Sequence, residues 1–168
     1  MSELERRIRR LEDRTELHDL IVRYFLAVDD DAYDVLADTF AVDATFSAGA
    51  FVGGRGRDNV VDFLRNDRLN MGPTIHTPHY SLFAFQDDDH ATGTTGAHLE
   101  LARAGKTLYG AVRYIDTFVR EQGAWRILAR EMRTVHVGPW EDVGTSLTSE
   151  LCVRWPGAAP AASDYPKR

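Results

Sequence analysis

The sequence predicts an α+β domain in which three helices precede an antiparallel sheet. Two observations carry this. From Glu3 to Asp29 there is no Gly or Pro, and apolar residues recur at helical spacing. From His79 onward, runs rich in β-branched and aromatic residues are separated by short breaks of Asp, Gly and Glu. Helices followed by strands, rather than interleaved with them, is the order of an α+β fold.

In the first helix, Leu4, Ile8 and Leu11 lie among the charges of "ERRIRRLEDR", a thin stripe suited to packing on a partner chain. From Leu17 the stripe thickens through Leu20, Ile21, Tyr24, Phe25 and Val28, as in a helix entering a core. A second helix is expected from Ala32 to Phe40, with Asp31 as N-cap and Asp34 three residues on. "VDATFSAGAF" alternates into a short strand that "GGRG" breaks, and "RDNVVDFLRNDRL" reads as a third helix with Val60, Val61 and Leu64 on one side. "HYSLFAFQ", "ATGTTGAHLELAR", "KTLYGAVRYIDTFVRE" and "AWRILAREMRTVHVG" are the strand runs, parted by "DDD", "AG" and "EQG". A meander of four or five such strands, curved over the helices, would leave a cone with an apolar interior. Period two places Trp125, Ile127, Ala129, Glu131 and Arg133 on one face, with Glu131 and Arg133 as an ion pair at the mouth. Beyond Gly138 the pattern fades; the domain is expected to occupy residues 1–145, with 146–168 as a mobile C-terminal tail.

At 168 residues one domain with a real core is expected, and 43% hydrophobic with 27% charged residues is ordinary globular composition. A net charge of −6 with scattered arginines argues against a nucleic-acid surface. Cys152 is the sole cysteine, which excludes an intrachain disulfide and thiolate metal clusters. No signal-like segment and no run near the roughly 20 apolar residues of a membrane span occurs, so the expected location is cytoplasmic. "GGRGR" lacks dinucleotide-loop or P-loop spacing, and no cofactor is expected.

The chemistry centres on "TIHTPHY" and "AVDDD". His76 and His79 stand three apart at what reads as a strand entrance, where a metal site would need a third ligand from Asp29, His98 or Glu100 that no motif fixes. Both histidines read equally well as packing or surface residues. Asp29 follows Phe25 by four and Val22 by seven, which continues their stripe inward; alternatively, the three aspartates form a solvated turn. An inward carboxylate beside an imidazole would hold it in one tautomer and strengthen it as a base.

Three stretches, "RYFLAVDDDAYDVLADTFAVDATFS", "TIHTPHYSLFAFQDDDHATGT" and "GAWRILAREMRTVHVG", together resemble the SnoaL-like domain of the NTF2-like superfamily over roughly residues 10–140. The pattern is most similar to its dehydratases and dehydrohalogenases: scytalone dehydratase, hexachlorocyclohexane dehydrochlorinase and bile-acid 7α-dehydratase. The resemblance implies an NTF2-like cone, with three N-terminal helices packed on a strongly curved, mostly antiparallel sheet. It also implies that His76 is the catalytic base, that Asp29 orients it, and that Tyr24 and Arg133 match further site residues. His79 is then a rim or packing residue. Many relatives carry an asparagine where this chain has Tyr80 or Ser81, so the resemblance constrains the fold more closely than the reaction. The implied function is a cofactor-independent lyase of the dehydratase type on a hydrophobic small molecule, working as a homo-oligomer, a trimer ahead of a dimer. An isomerase or cyclase on the same pair, a non-catalytic small-molecule-binding domain, and an assembly subunit are the alternatives.

Overall fold

In the computed structural model, which describes residues 2–49 and 51–166, helix α1 spans Glu3–Asp29. Its start is fixed by a capping box: the Ser2 hydroxyl accepts from the Glu5 amide at 3.2 Å, and the Glu5 carboxylate accepts from the Ser2 amide at 2.6 Å. Its buried face carries Leu17, Leu20, Ile21, Tyr24, Phe25 and Val28. Each such burial contributes roughly 1.5–3 kcal/mol, far more than helix propensity, so this stripe decides where α1 lies. Leu4, Ile8 and Leu11 stay exposed at 65%, 47% and 66%.

Helix α2 is shorter than expected, Tyr33–Thr39, and its N-cap is Ala32 with no side-chain cap. Asp31 does not cap it. Its backbone is left-handed (φ 55°), and its carboxylate accepts instead from Arg68 at 2.7 and 3.3 Å. A guanidinium offering two charge-assisted bonds displaces a single backbone amide as partner. The expected single strand around "VDATFSAGAF" is a hairpin: β1 spans Phe40–Ala48 and β2 Phe51–Arg55, with Gly53 and Gly54 inside β2 and Ala50 outside the described residues. Helix α3 (Arg57–Arg68) buries Val60, Val61 and Leu64 as its pattern requires.

Strands β3 (Met71–Phe85), β4 (His90–Arg103), β5 (Lys106–Glu121) and β6 (Ala124–Pro139) form the meander. The β4–β5 and β5–β6 turns put Ala104–Gly105 and Gln122–Gly123 at positive φ, the two-residue geometry that matches strand twist. The meander has four strands as expected, and the hairpin β1–β2 adds two more, giving the order β2-β1-β6-β5-β4-β3 with β1 parallel to β6. Strand β3 begins well before the expected run, so "TIHTPHY" lies within a strand and not at its entrance. Helix α1 crosses the concave face, where His18 meets Phe83 edge-on and Phe25 lies between His76 and Tyr114.

Two bulges in β6 overturn the period-two assignment. Thr117 faces Ala129 while Phe118 faces Ile127, which leaves Leu128 as an extra residue. Val112 faces Thr134 while Ala111 faces His136, which leaves Val135 extra in turn. Trp125 and Ile127 therefore share the concave side with Arg130, Met132 and Thr134, paired to inward Asp116, Tyr114 and Val112. Glu131 and Arg133 are turned to the convex side.

The segment expected as a mobile tail is bonded to the far end of β6. A short helix, α4 (Val143–Ser146), follows β6 after one 3₁₀ turn; Val153 then bridges Val137 in parallel and Ala161 in antiparallel fashion. The Asp164 carboxylate accepts from the Thr134 amide at 2.7 Å. This places chain along the part of β6 that β1 is too short to cover, and Cys152 and Trp155 pack inward beside it. Lys167 and Arg168, the end of that segment, lie outside the described residues.

Candidate active site

Asp29 is the last residue of α1, and His76 sits on β3 opposite Leu99 of β4, on the concave side. The His76 ring nitrogen Nδ1 is 2.6 Å from Asp29 Oδ1, and the His76 main-chain N–H donates to Oδ2 at 2.8 Å. The two side chains are only 13% and 15% exposed. The His76 ring stacks on Phe25, centroids 5.1 Å apart and 14° from parallel. These contacts arise because α1 ends where β3 begins its inward alternation, so the helix delivers a carboxylate to a strand position that already faces the core.

Burial alone would raise the Asp29 carboxyl. The hydrogen bond and charge of His76, the His76 amide and the Thr74 hydroxyl outweigh it and hold Asp29 below the ordinary carboxylate value. An ionised carboxylate only accepts, so Nδ1 carries the proton and Nε2 is the basic nitrogen. Nε2 makes no hydrogen bond to a described residue. An imidazole with one nitrogen fixed by a carboxylate and the other unbonded has a lone pair with which to accept a proton.

The other two expected residues are placed differently. Tyr24 is 2% exposed and lies behind Phe25, edge-on to it at 5.5 Å, with the Arg130 guanidinium 4.0 Å above its ring. Burial raises its hydroxyl pKa, and the Arg130 charge opposes that rise. Arg133 is not part of this cluster. On the convex face it pairs with Glu131 through two 2.8 Å bonds and with the Tyr165 hydroxyl at 3.3 Å. The expected Glu131–Arg133 ion pair is present, but the Leu128 bulge puts it on the opposite side of the sheet.

Sequence reasoning misses Arg130, Asp116 and Thr74. Arg130 and Asp116 form a fully buried bidentate pair, 2.8 Å in both bonds, among Tyr24, Phe25 and Tyr114. The interior expected to be apolar is thus charged at its centre, and Arg130 Nη1 has no acceptor among the described residues. Asp116 is detectable, since it falls on the same parity as the apolar Val112, Tyr114 and Phe118. Arg130 is not, because the bulge that turns it inward has no local signature. Thr74 shares the parity of His76 two residues earlier and donates to Asp29 Oδ1 at 2.8 Å.

His79 is the bulged residue of β3 and lies apart from Asp29, its Nε2 2.8 Å from His98 Nδ1. Among the described residues no cluster of three or more His, Cys, Asp or Glu is arranged to hold a metal. Two surface clefts, one beside Arg6, Arg10 and Asp88, the other beside Glu100, Lys106 and Trp140, contain neither Asp29 nor His76. No described helix is long and apolar enough to cross a membrane.

A six-stranded curved sheet with helices across its concave face is the NTF2-like architecture. Within it, the chain belongs to the SnoaL-like domain family, whose model matches residues 9–131. The structure is similar to hexachlorocyclohexane dehydrochlorinase LinA-type3 from Novosphingobium barchaimii LL02, with a TM-score of 0.75 and 19% identity over 81% of this chain and 95% of that one. It is also similar to a candidate scytalone dehydratase from Novosphingobium aromaticivorans DSM 12444, with a TM-score of 0.72 and 19% identity over 90% of this chain and 97% of the other. A protein of unknown function from Mycobacterium tuberculosis shares 23% identity over 86% and 81% of the two chains, with a TM-score of 0.69. No curated protein matches the sequence.

Proposed function

We propose that the chain is a cofactor-independent lyase of the dehydratase type, with His76 as general base and Asp29 as the residue that orients it. The observation that carries this reading is the doubly anchored carboxylate, 2.6 Å from one ring nitrogen of a largely buried histidine whose other nitrogen makes no hydrogen bond to a described residue. Membership of a family with dehydratase-named and dehydrochlorinase-named structural neighbours supports it at the level of fold.

In the reaction, His76 Nε2 takes a proton from carbon. The C–H electron pair forms the new double bond, and the neighbouring C–O bond breaks. The imidazolium returns its proton to the departing hydroxyl, which leaves as water. Asp29 stabilises the charged ring meanwhile, and buried Tyr24 remains a neutral donor. Arg133 takes no part in this scheme. A hydrophobic substrate suits a site walled by Phe25, against which the His76 ring stacks. An isomerase or cyclase would begin with the same proton transfer and differ only in having no leaving group. We further propose a cytoplasmic homo-oligomer, a trimer ahead of a dimer, with the catalytic unit within residues 1–145.

The test is a panel of hydrophobic β-hydroxy ketones incubated in D₂O. The expected result is alkene formation without deuterium in the recovered substrate, lost in His76→Ala. Exchange without elimination would show proton transfer at carbon with no leaving-group step, and a product with a shifted double bond would make the enzyme an isomerase. Binding with neither, unchanged in His76→Ala, would reduce it to a binding protein.

A further inference from the structure

The Asp29–His76 pair is not the end of its hydrogen-bond chain. Thr74 Oγ1 donates to Asp29 Oδ1 at 2.8 Å and lies 3.1 Å from Arg68 Nη1. A guanidinium only donates, so Arg68 occupies the hydroxyl as an acceptor and leaves its hydrogen one direction to point, toward Asp29. Arg68 is itself fixed. Its Nε and Nη2 are held by Asp31 at 2.7 and 3.3 Å, and its Nη1 also reaches the Gly72 carbonyl at 3.2 Å. Although it is the last residue of α3, its side chain is only 9% exposed, tucked between the turn after α1 and the start of β3.

We infer that Arg68 and Thr74 are positioning residues that lock the Asp29 carboxylate and so fix His76 in the tautomer with the proton on Nδ1. The inference rests on the reading of Asp29 and His76 as the working pair. It extends that pair into an ordered relay, Asp31 to Arg68 to Thr74 to Asp29 to His76, that ties the end of α1 and the end of α3 to the first residues of β3. Each link has one permitted donor direction. Oδ2 is engaged by the His76 amide and Oδ1 by Thr74, which orients the carboxylate so that Oδ1 also meets Nδ1. Removing the threonine hydroxyl frees that side of the carboxylate, which can then rotate and release the ring. The left-handed backbone at Asp31, costly for a residue other than Gly, is held by the same guanidinium.

The relay is tested without a substrate. Ring ¹⁵N shifts of the full-length ¹⁵N-labelled protein at pH 8 report which nitrogen of each histidine carries the proton, and His76→Gln assigns the signal. The native chain is expected to show a single species, Nδ1 protonated and Nε2 bare. Thr74→Val keeps the branched shape suited to a strand and is expected to lose that single-species signature, with a second population protonated on Nε2. Thr74→Ser should restore it. A purely packing role for Thr74 predicts no tautomer change in the valine variant, and an unchanged spectrum there overturns the inference. Should Thr74→Val fail to fold, Arg68→Met decides the matter by the same spectral criterion, because the hydroxyl then loses the donor that directs it. The outcome is separable from the catalytic reading: altered tautomers with turnover indifferent to His76→Ala would sink the lyase and keep the relay, and the converse pair of results would do the reverse.

Discussion

Asp29 holds His76 twice, once by the ring and once by the main chain, at 2.6 and 2.8 Å on its two separate oxygens. Gripped by the His76 main chain on one oxygen and by Thr74 on the other, the carboxylate has little freedom to follow a displaced ring. Asp29→Asn should therefore preserve the fold and lower the exchange or elimination rate by a factor on the order of 10²–10⁴, since an amide does not stabilise the imidazolium. His76→Ala should abolish the rate. His79→Ala, changed on the neighbouring bulge, should leave it within about threefold of the native rate. Rates for the three variants on one substrate check the ranking, and an inactive His79→Ala beside an active His76→Ala would reverse the assignment of the base.

Acid should weaken the fold through the same carboxylate. Asp29 is held below its ordinary value in the folded chain, so at low pH the unfolded chain binds the proton first. Its contribution is complete above roughly pH 4, the usual carboxylate range, and disappears as pH falls through the lower folded value. Thermal unfolding from pH 6 down to pH 2.5 should show this decline, and Asp29→Asn should make the slope shallower.

A second acid response is expected at milder pH from the convex face. Burial first, and then the charge of neighbouring His79, push His98 below the ordinary histidine value. The unfolded chain therefore protonates first below about pH 6.5, and stability declines from there toward the folded value. Melting temperatures between pH 8 and pH 5 should fall less in His98→Gln than in the native chain; equal slopes would show that this pair carries no linkage.

The buried Arg130–Asp116 pair predicts an asymmetry between single and double replacement. Both side chains are 0% exposed, so removing either partner strands a charge in the core. Arg130→Met or Asp116→Asn should each cost about 3–5 kcal/mol in denaturant unfolding, while Arg130→Met with Asp116→Leu together should cost much less than the sum. Additive losses would mean that the charges do not interact.

Assembly is expected to depend on the exposed stripe at the start of α1. Leu4, Ile8 and Leu11 face away from the core and would each leave apolar area in water in a monomer. Sedimentation at micromolar concentration should give a multiple of 18.9 kDa. Replacing all three by Gln should shift it toward the monomer without lowering the concentration-independent part of the melting temperature. A native monomer would reject the oligomer.

How much of this is legible in the sequence follows from how local each signal is. Helix α1 is readable to its last residue, because an uninterrupted stripe and the absence of Gly and Pro depend on nothing distant. The hairpin turns are readable from "AG" and "QG" for the same reason. The pairing of Asp29 with His76 is not visible in spacing; it comes from a family pattern, since the two stand 47 positions apart. Asp31 reads as a cap because its actual partner, Arg68, is remote in sequence. Arg133 is misplaced because alternation counted from Trp125 assumes an unbroken ladder, and Leu128 breaks it. Tail packing depends on β1 stopping short of the end of β6, a property of two strands at once.

The bulges at Leu128 and Val135 also decide where β6 can change length. Each holds one residue more than the facing strand requires, so each is a position from which a residue can be lost without disturbing its neighbours' facing. Deleting Leu128 would restore strict alternation from Ile127 outward through Ala129 and inward to Arg130, with the Asp116 pair kept. Deleting Glu131, between the bulges, would instead turn Met132 and Thr134 outward and carry Arg133 into the core, the inversion that a one-residue slip imposes on any strand. Single-residue deletions in this strand are therefore tolerable at the two bulges and ruinous between them. An alignment that sets a gap midway between the bulges assigns the wrong arginine to the interior.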